Sequence, residues 1–150
     1  MERDFVEMLS VLNAAGAEYL VVGAHALAAH GVPRATGDLD IWVRATPDNA
    51  RRVIGALREF GAPLFDLSVE DLSRPETVFQ IGVVPVRIDL LTSISGVGFE
   101  EAWARRLPGT IEGVAFGVIG REDLLRNKRV TGRPRDLLDA ETLAASRRVD

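Results

Sequence analysis

Two apolar runs in this chain carry acids where a buried strand should carry none, and few folds can accommodate that. In Gly37-Asp38-Leu39-Asp40-Ile41, followed by Trp42 and Val43, two carboxylates alternate with apolar residues. On a strand, residues two apart project from the same face, about 6–7 Å from one another. In Arg87-Ile88-Asp89-Leu90-Leu91 a single acid interrupts an apolar stretch. A lone carboxylate inside a sheet is costly unless it is paired or metal-bound. If the two strands are neighbours, Asp38, Asp40 and Asp89 converge on one point. Three hard oxygen donors suit Mg²⁺ or Mn²⁺. Two such ions, about 3.5–4 Å apart, can clamp the attacking and leaving oxygens of a phosphoryl transfer.

The rest of the chain supplies the helices such strands need. Phe5, Met8, Leu9 and Leu12 repeat at spacings that fit one face of an amphipathic helix over 2–15, ending near Gly16. Residues 18–22 read as a short buried strand, and the Ala-rich stretch 25–30 as a helix ended by Gly31 and Pro33. After the strand 39–43, Thr46 is an N-cap and Pro47 fits a first helical turn, with Val53, Ile54, Leu57 and Phe60 turned inward before Gly61. Residues 77–92 form two strands around Gly82-Val83-Val84-Pro85, with Pro85 at a strand start and Val86, Ile88 and Leu90 on one side. Arg87 is expected to alternate away from Ile88 and Asp89, as a surface ion pair or a phosphate contact. A short helix over 99–106, a hairpin over 110–119 around Glu112-Gly113, and two closing helices over 121–130 and 134–145 complete the pattern. Interleaved helices and strands with a clear hairpin imply an α/β (α+β) fold, a mixed sheet flanked by helices, with the last two helices closing over a cleft. No repeat or linker divides the 150 residues, so one domain spanning 1–150 is expected, burying roughly two thirds of its unfolded surface.

Composition narrows the chemistry. With no cysteine, disulfides, thiolate metal sites and a cysteine nucleophile are excluded, and any metal must sit on oxygen or imidazole. His25 and His30, five apart, do not share a helix face and read as partly buried or surface residues. The start MERDFVEM has acids where a signal peptide has bases, and no apolar run approaches the ~20 residues of a membrane helix, so a cytoplasmic protein is expected. A net charge of −4 argues against a general nucleic-acid coat, although Arg121, Arg126, Lys128, Arg129, Arg133 and Arg135 form a local basic stretch. Used as a nucleic-acid surface, that stretch would bind RNA or DNA with steep salt dependence. Trp42 and Trp103 read as core or rim packing.

Upstream of the acids, Val21-Val22-Gly23-Ala24 runs from a strand into a helix. Gly23 there is either a tight turn or a phosphate seat, where unpaired helix N–H groups meet an anion. Arg34 and Thr36 stand just before the acidic pair, and a guanidinium fork at Arg34 suits phosphate oxygens.

Gly23-Ala24, then Arg34-x-Thr36-x-Asp38-x-Asp40, then Asp89 on a later strand, resemble the polymerase-beta-type nucleotidyltransferase superfamily. Within it the chain is similar to small bacterial nucleotidyltransferase-like proteins related to abortive-infection toxins. Gln80 to Gly82 with Pro85 to Thr92 is similar to that group's third-acid strand, and Lys128, Gly132-Arg133 and Asp136 to its closing motif. The likeness spans roughly residues 19–143. It implies that Asp38 and Asp40 bind metal, that Asp89 also activates an acceptor hydroxyl, and that Lys128 and Asp136 contact nucleotide or acceptor. Ala24 departs from the pattern, standing where the superfamily often has serine or a second glycine. The phosphates would then rest on backbone N–H groups, Arg34 and Lys128.

The expected reaction is transfer of a nucleoside monophosphate from an NTP to a hydroxyl of a protein, a tRNA or a small molecule. The competing expectation is a non-catalytic nucleotide- or partner-binding module of the same fold, as in one half of a toxin–antitoxin pair. A homodimer or an antitoxin-type partner is the assembly each reading admits.

Overall fold

The computed structural model describes residues 2–83 and 86–146. Helix α1 (Arg3–Ala14) precedes β1 (Tyr19–Val22), α2 (Gly23–Ala29), β2 (Asp38–Val43), α3 (Pro47–Phe60) and a single turn, α4 (Val69–Leu72). These lead into β3 (Val78–Val83), β4 (Val86–Leu91), α5 (Phe99–Ala104), β5 (Leu107–Ile111), β6 (Val114–Val118), α6 (Arg121–Thr131) and α7 (Pro134–Ala145). The strands form one mixed sheet in the order β3-β4-β2-β1-β6-β5. β2 runs parallel to β4 and antiparallel to β1, and β1 runs parallel to β6.

Alternation along the strands explains the layers. Tyr19 and Val21 of β1, Leu39 and Ile41 of β2, and Ile88 and Leu90 of β4 face one side. There Phe5, Met8, Leu9 and Leu12 of α1 and Val53, Ile54 and Leu57 of α3 cover them. Phe60, expected inward, packs partly buried against the same cluster. Leu20 and Val22 of β1, Trp42 of β2 and Val118 of β6 face the other side, against Leu27 of α2, Leu124 and Leu125 of α6, and Leu143 of α7. Fully buried leucines such as Leu9, Leu12 and Leu57 each contribute roughly 1.5–3 kcal/mol over an exposed position. The result is the expected α+β architecture, a mixed sheet with helices on both faces and α6 and α7 closing one side of a cleft.

Local signals behave as their chemistry requires. The Thr46 hydroxyl accepts from the Asn49 N–H (3.3 Å), Pro47 occupies the first turn of α3, and Gly61 ends the helix at φ 89°. Asn49 is buried and ties strand ends together. Its side-chain amide donates to the carbonyls of Glu18 and Arg44 (both 2.9 Å) and accepts from the Glu18 N–H (2.7 Å).

Two expectations are corrected, and one element is added. The hairpin strand begins at Leu107, not Thr110, because Pro108 needs no N–H partner on the outer side of an edge strand. Helix α2 begins at Gly23 rather than His25. The turn α4 carries no helical periodicity, but Ser68 and Asp71 close a reciprocal capping box (3.1 and 2.9 Å) that fixes it. Pro85, expected at a strand start, lies outside the described residues. No described helix is long and apolar enough to cross a membrane.

Candidate active site

The parallel pairing of β2 with β4 brings the three acids together. Asp40 stands in register with Asp89, and Asp38 with Arg87. All four residues occupy the sheet face opposite Leu39, Ile41, Ile88 and Leu90. Arg87 was expected to point away from Asp89, but residues two apart on a strand share a face, and Arg87 lies among the acids. Its Nε donates to Asp89 Oδ1 (2.9 Å), and its Nη2 to Asp38 Oδ2 (3.2 Å) and Asp89 Oδ2 (3.3 Å). Asp89 is 8% exposed and so meets the requirement that a buried acid be paired.

Asp40 carries the electrostatic cost of the cluster. Burial first, and then the charges of Asp89 and Asp38, push its carboxyl up to about 6, and Arg87 and Lys128 offset this only in part. The neutral form is therefore favoured in the folded protein over the unfolded chain. Its stabilising contribution is complete below about pH 4 and is lost as pH rises through about 6. In chelator, the protein is expected to gain about 1 kcal/mol of stability between pH 7 and pH 5, and Asp40→Asn to abolish that gain. Urea unfolding of both proteins at the two pH values reads this directly.

Gly23 is placed by the same carboxylate. Its φ is +70°, and a Cβ there would lie 2.2 Å from Asp40 Oδ2. Glycine permits both the backbone conformation and the approach of the acid. Gly23→Ala is expected to cost about 1–3 kcal/mol in urea unfolding, combining left-handed strain with displacement of Asp40. A cost below about 0.5 kcal/mol would mean the contact is not held.

Thr36 caps the start of β2, its hydroxyl accepting from the Asp38 N–H (3.0 Å). Across from the acids, α7 presents Asp136 and Asp139, each 4% exposed. Lys128 of α6 stands 3.4 Å from both. Arg34 pairs with Asp139, and Arg133 Nε donates to Asp136 (2.6 Å). Burial opposes ionisation of Asp136, but the hydrogen bond from Arg133 and the charge of Lys128 outweigh it, leaving its carboxyl below the usual range.

These residues line one cleft of about 460 Å³. Gly23, Ala24, Arg34, Thr36, Asp38, Asp40, Asp89, Lys128 and Asp136, the candidates from the sequence, all border it. So do Arg87, which the sequence offers as an ion pair or a phosphate contact, Arg133 of the closing motif, and Arg135 and Asp139, which the sequence does not single out as site residues. The i, i+3 spacing of Asp136 and Asp139 was the available signal for the last of these. Asp38, Asp40, Asp89, Asp136 and Asp139 face Arg34, Arg87, Lys128, Arg133 and Arg135, five acids against five bases. A larger cavity of about 580 Å³ runs along β5 and β6, with Arg106 as its single charged residue and no acid.

The donor chemistry of Asp38, Asp40 and Asp89 fits a hard divalent cation. Their mutual repulsion, expressed at Asp40, is what such a cation would relieve. As they stand, no three carboxylates or imidazoles among the described residues are arranged to hold a metal ion. The guanidinium of Arg87 lies between Asp38 and Asp89.

The remaining candidates sit apart. His30 is buried, its Nε2 2.8 Å from the Ile119 carbonyl, and the His25 ring meets Phe5 edge-on. Trp42 is buried and meets Phe99 edge-on, and Phe99 stacks in turn on Trp103. In the basic stretch, Arg121 turns inward to the carbonyls of Leu143 (2.9 Å) and Ala144 (3.2 Å). Arg126, Arg129, Arg133 and Arg135 are exposed.

No family model matches the chain, and no curated protein does. A crystal structure from Thermotoga maritima, of a protein described as a candidate nucleotidyltransferase, matches with a TM-score of 0.58. The match covers 95% of this chain and 89% of that one at 15% sequence identity. At that identity the likeness shows a common fold, so the chain has a nucleotidyltransferase-like fold.

Proposed function

We propose that the cleft binds a nucleoside triphosphate and transfers its nucleoside monophosphate to a hydroxyl, with pyrophosphate leaving. The observation that carries this reading is the register of Asp40 against Asp89 on parallel strands, with Asp38 beside them, facing a cleft that also holds Arg34 and Lys128. The fold shared with the Thermotoga maritima protein supports it, as does the resemblance of the motifs to the polymerase-beta-type superfamily.

In this reading Asp38, Asp40 and Asp89 hold Mg²⁺ or Mn²⁺. When bound, the cation supplies charge neutralisation at the transferring phosphoryl group and lowers the pKa of a hydroxyl beside it. Asp89 stands against the acceptor and takes its proton. Gly23 and Ala24 let the phosphates approach the backbone, Arg34 and Lys128 contact phosphate oxygens, Thr36 fixes the loop that presents Asp38, and Asp136 holds Lys128 in place. Acceptor candidates are a protein side chain, a tRNA end or a small molecule.

A second reading is favoured by the internal pairing of Arg34 and Lys128 with Asp139 and Asp136, and by Ala24, which offers no hydroxyl to the phosphates. It is a non-catalytic nucleotide- or partner-binding module, serving as one half of a toxin–antitoxin pair. Calorimetry with ATP, CTP, GTP and UTP in Mg²⁺, followed by mass spectrometry for a nucleotide adduct on added RNA, on protein or on the chain itself, separates the two. Binding with transfer supports the first reading. Binding without transfer supports the second, and no binding of any NTP contradicts both.

A further inference from the structure

We infer that Arg87 is the internal counter-ion of the acid cluster, a guanidinium that must leave Asp38 and Asp89 before a divalent cation can be held there and that thereby sets the cation affinity of the site. This rests on the proposed reading of the three acids as a metal site.

Arg87 reaches both strands of the cluster. It bonds Asp89 on its own strand through Nε and Nη2, and Asp38 across the sheet through Nη2, at 2.9, 3.3 and 3.2 Å. The strand pattern puts it on the acid-bearing face, since Val86, Ile88 and Leu90 take the opposite, apolar face. In register terms it stands beside Asp38, one pleat before the Asp40–Asp89 pair.

The compensation it provides is incomplete. None of the described hydrogen bonds from Arg87 reaches Asp40, and among the described residues it is the one cation bonded to Asp38 and Asp89. A divalent cation neutralises more of the acids' charge, but it needs the oxygens that Arg87 now uses. Asp38 Oδ2 and both oxygens of Asp89 already accept from the guanidinium. Two cations sharing those oxygens would also repel one another at close range. Exchange therefore follows from geometry and charge, and the freed guanidinium remains on the cleft wall, within the same lining as Arg34 and Lys128.

A merely structural ion pair predicts that removing Arg87 weakens the site or leaves it unchanged. A displaced counter-ion predicts the reverse. Mn²⁺ affinity, measured by electron paramagnetic resonance of free Mn²⁺ and by calorimetry, is expected to tighten about tenfold or more in Arg87→Gln. Arg87→Lys keeps the charge and should stay close to the wild type. Should Arg87→Gln fail to fold in chelator, the wild-type protein provides the test. The Arg87 Nε–H resonance, assigned by its loss in Arg87→Lys, is expected to move as Mg²⁺ is added. Equal or weaker Mn²⁺ binding by a folded Arg87→Gln, or an Nε–H resonance unmoved at saturating Mg²⁺, overturns the inference while leaving the metal site intact. Failure of Mn²⁺ to bind any of the three proteins overturns the metal-site reading as well.

Discussion

Replacing Asp38 and Asp40 together by asparagine is expected to reduce metal-dependent NTP turnover by about a thousandfold or more, the scale of losing the charges that organise a phosphoryl-transfer site. The fold should survive. Asparagine has nearly the same shape as aspartate, Leu39 and Ile41 keep their places in the core, and Asp89 retains Arg87 as its partner. Burial, and then the repulsion from Asp89 and Asp38, which together push Asp40 up to about 6, no longer act on a charge there, so the melting temperature in chelator should hold or rise. Pyrophosphate release with Mg²⁺ and each NTP, alongside far-ultraviolet circular dichroism, checks both halves. Turnover retained in a folded double variant would remove these acids from the chemistry.

The second large effect concerns stability rather than turnover. Asp139 is 4% exposed and is shared by two cations, Arg34 from the loop before β2 and Lys128 from α6. It therefore fastens the acid-bearing strand's entry loop to the closing helices. Asp139→Ala leaves Arg34 without its described carboxylate and Lys128 with Asp136 alone. Breaking a buried pair on one side typically costs about 3–5 kcal/mol, because the remaining charge stays desolvated. Lys128 is 14% and Arg34 21% exposed, so the expected loss lies near the lower bound, about 3 kcal/mol in urea unfolding. A loss under 1 kcal/mol would show that the cluster relaxes into solvent and does not hold the cleft closed. A double-mutant cycle with Arg34→Ala apportions the effect between the two cations.

What was legible in the sequence was whatever follows from periodicity and single-residue chemistry. The alternation in Asp38 to Val43 placed both acids on one face, and Phe5, Met8, Leu9 and Leu12 identified the buried side of α1. Thr46, Pro47 and Gly61 bounded α3 because capping and left-handed termination are local. The parallel pairing of β2 with β4 is a condition and not a deduction, since strands 49 residues apart in register carry no local sign of adjacency. The period of two is sufficient to place Arg87 beside Asp89, against the expectation that it alternates away. The pairing of Arg34 with Asp139 joins residues brought together only by the docking of α7, and no local pattern announces it. α4 is too short for periodicity and depends on the Ser68–Asp71 box.

In the proposed reading, the three carboxylates and the cations across from them form a metal and nucleotide cleft. A crystal soaked with Mn²⁺ and a non-hydrolysable NTP analogue tests it most directly, through anomalous scattering at the manganese edge. Anomalous density is expected among Asp38, Asp40 and Asp89, with the triphosphate lying toward Gly23, Arg34 and Lys128. Manganese absent from the acids, with the nucleotide settled in the apolar cavity along β5 and β6, would contradict it.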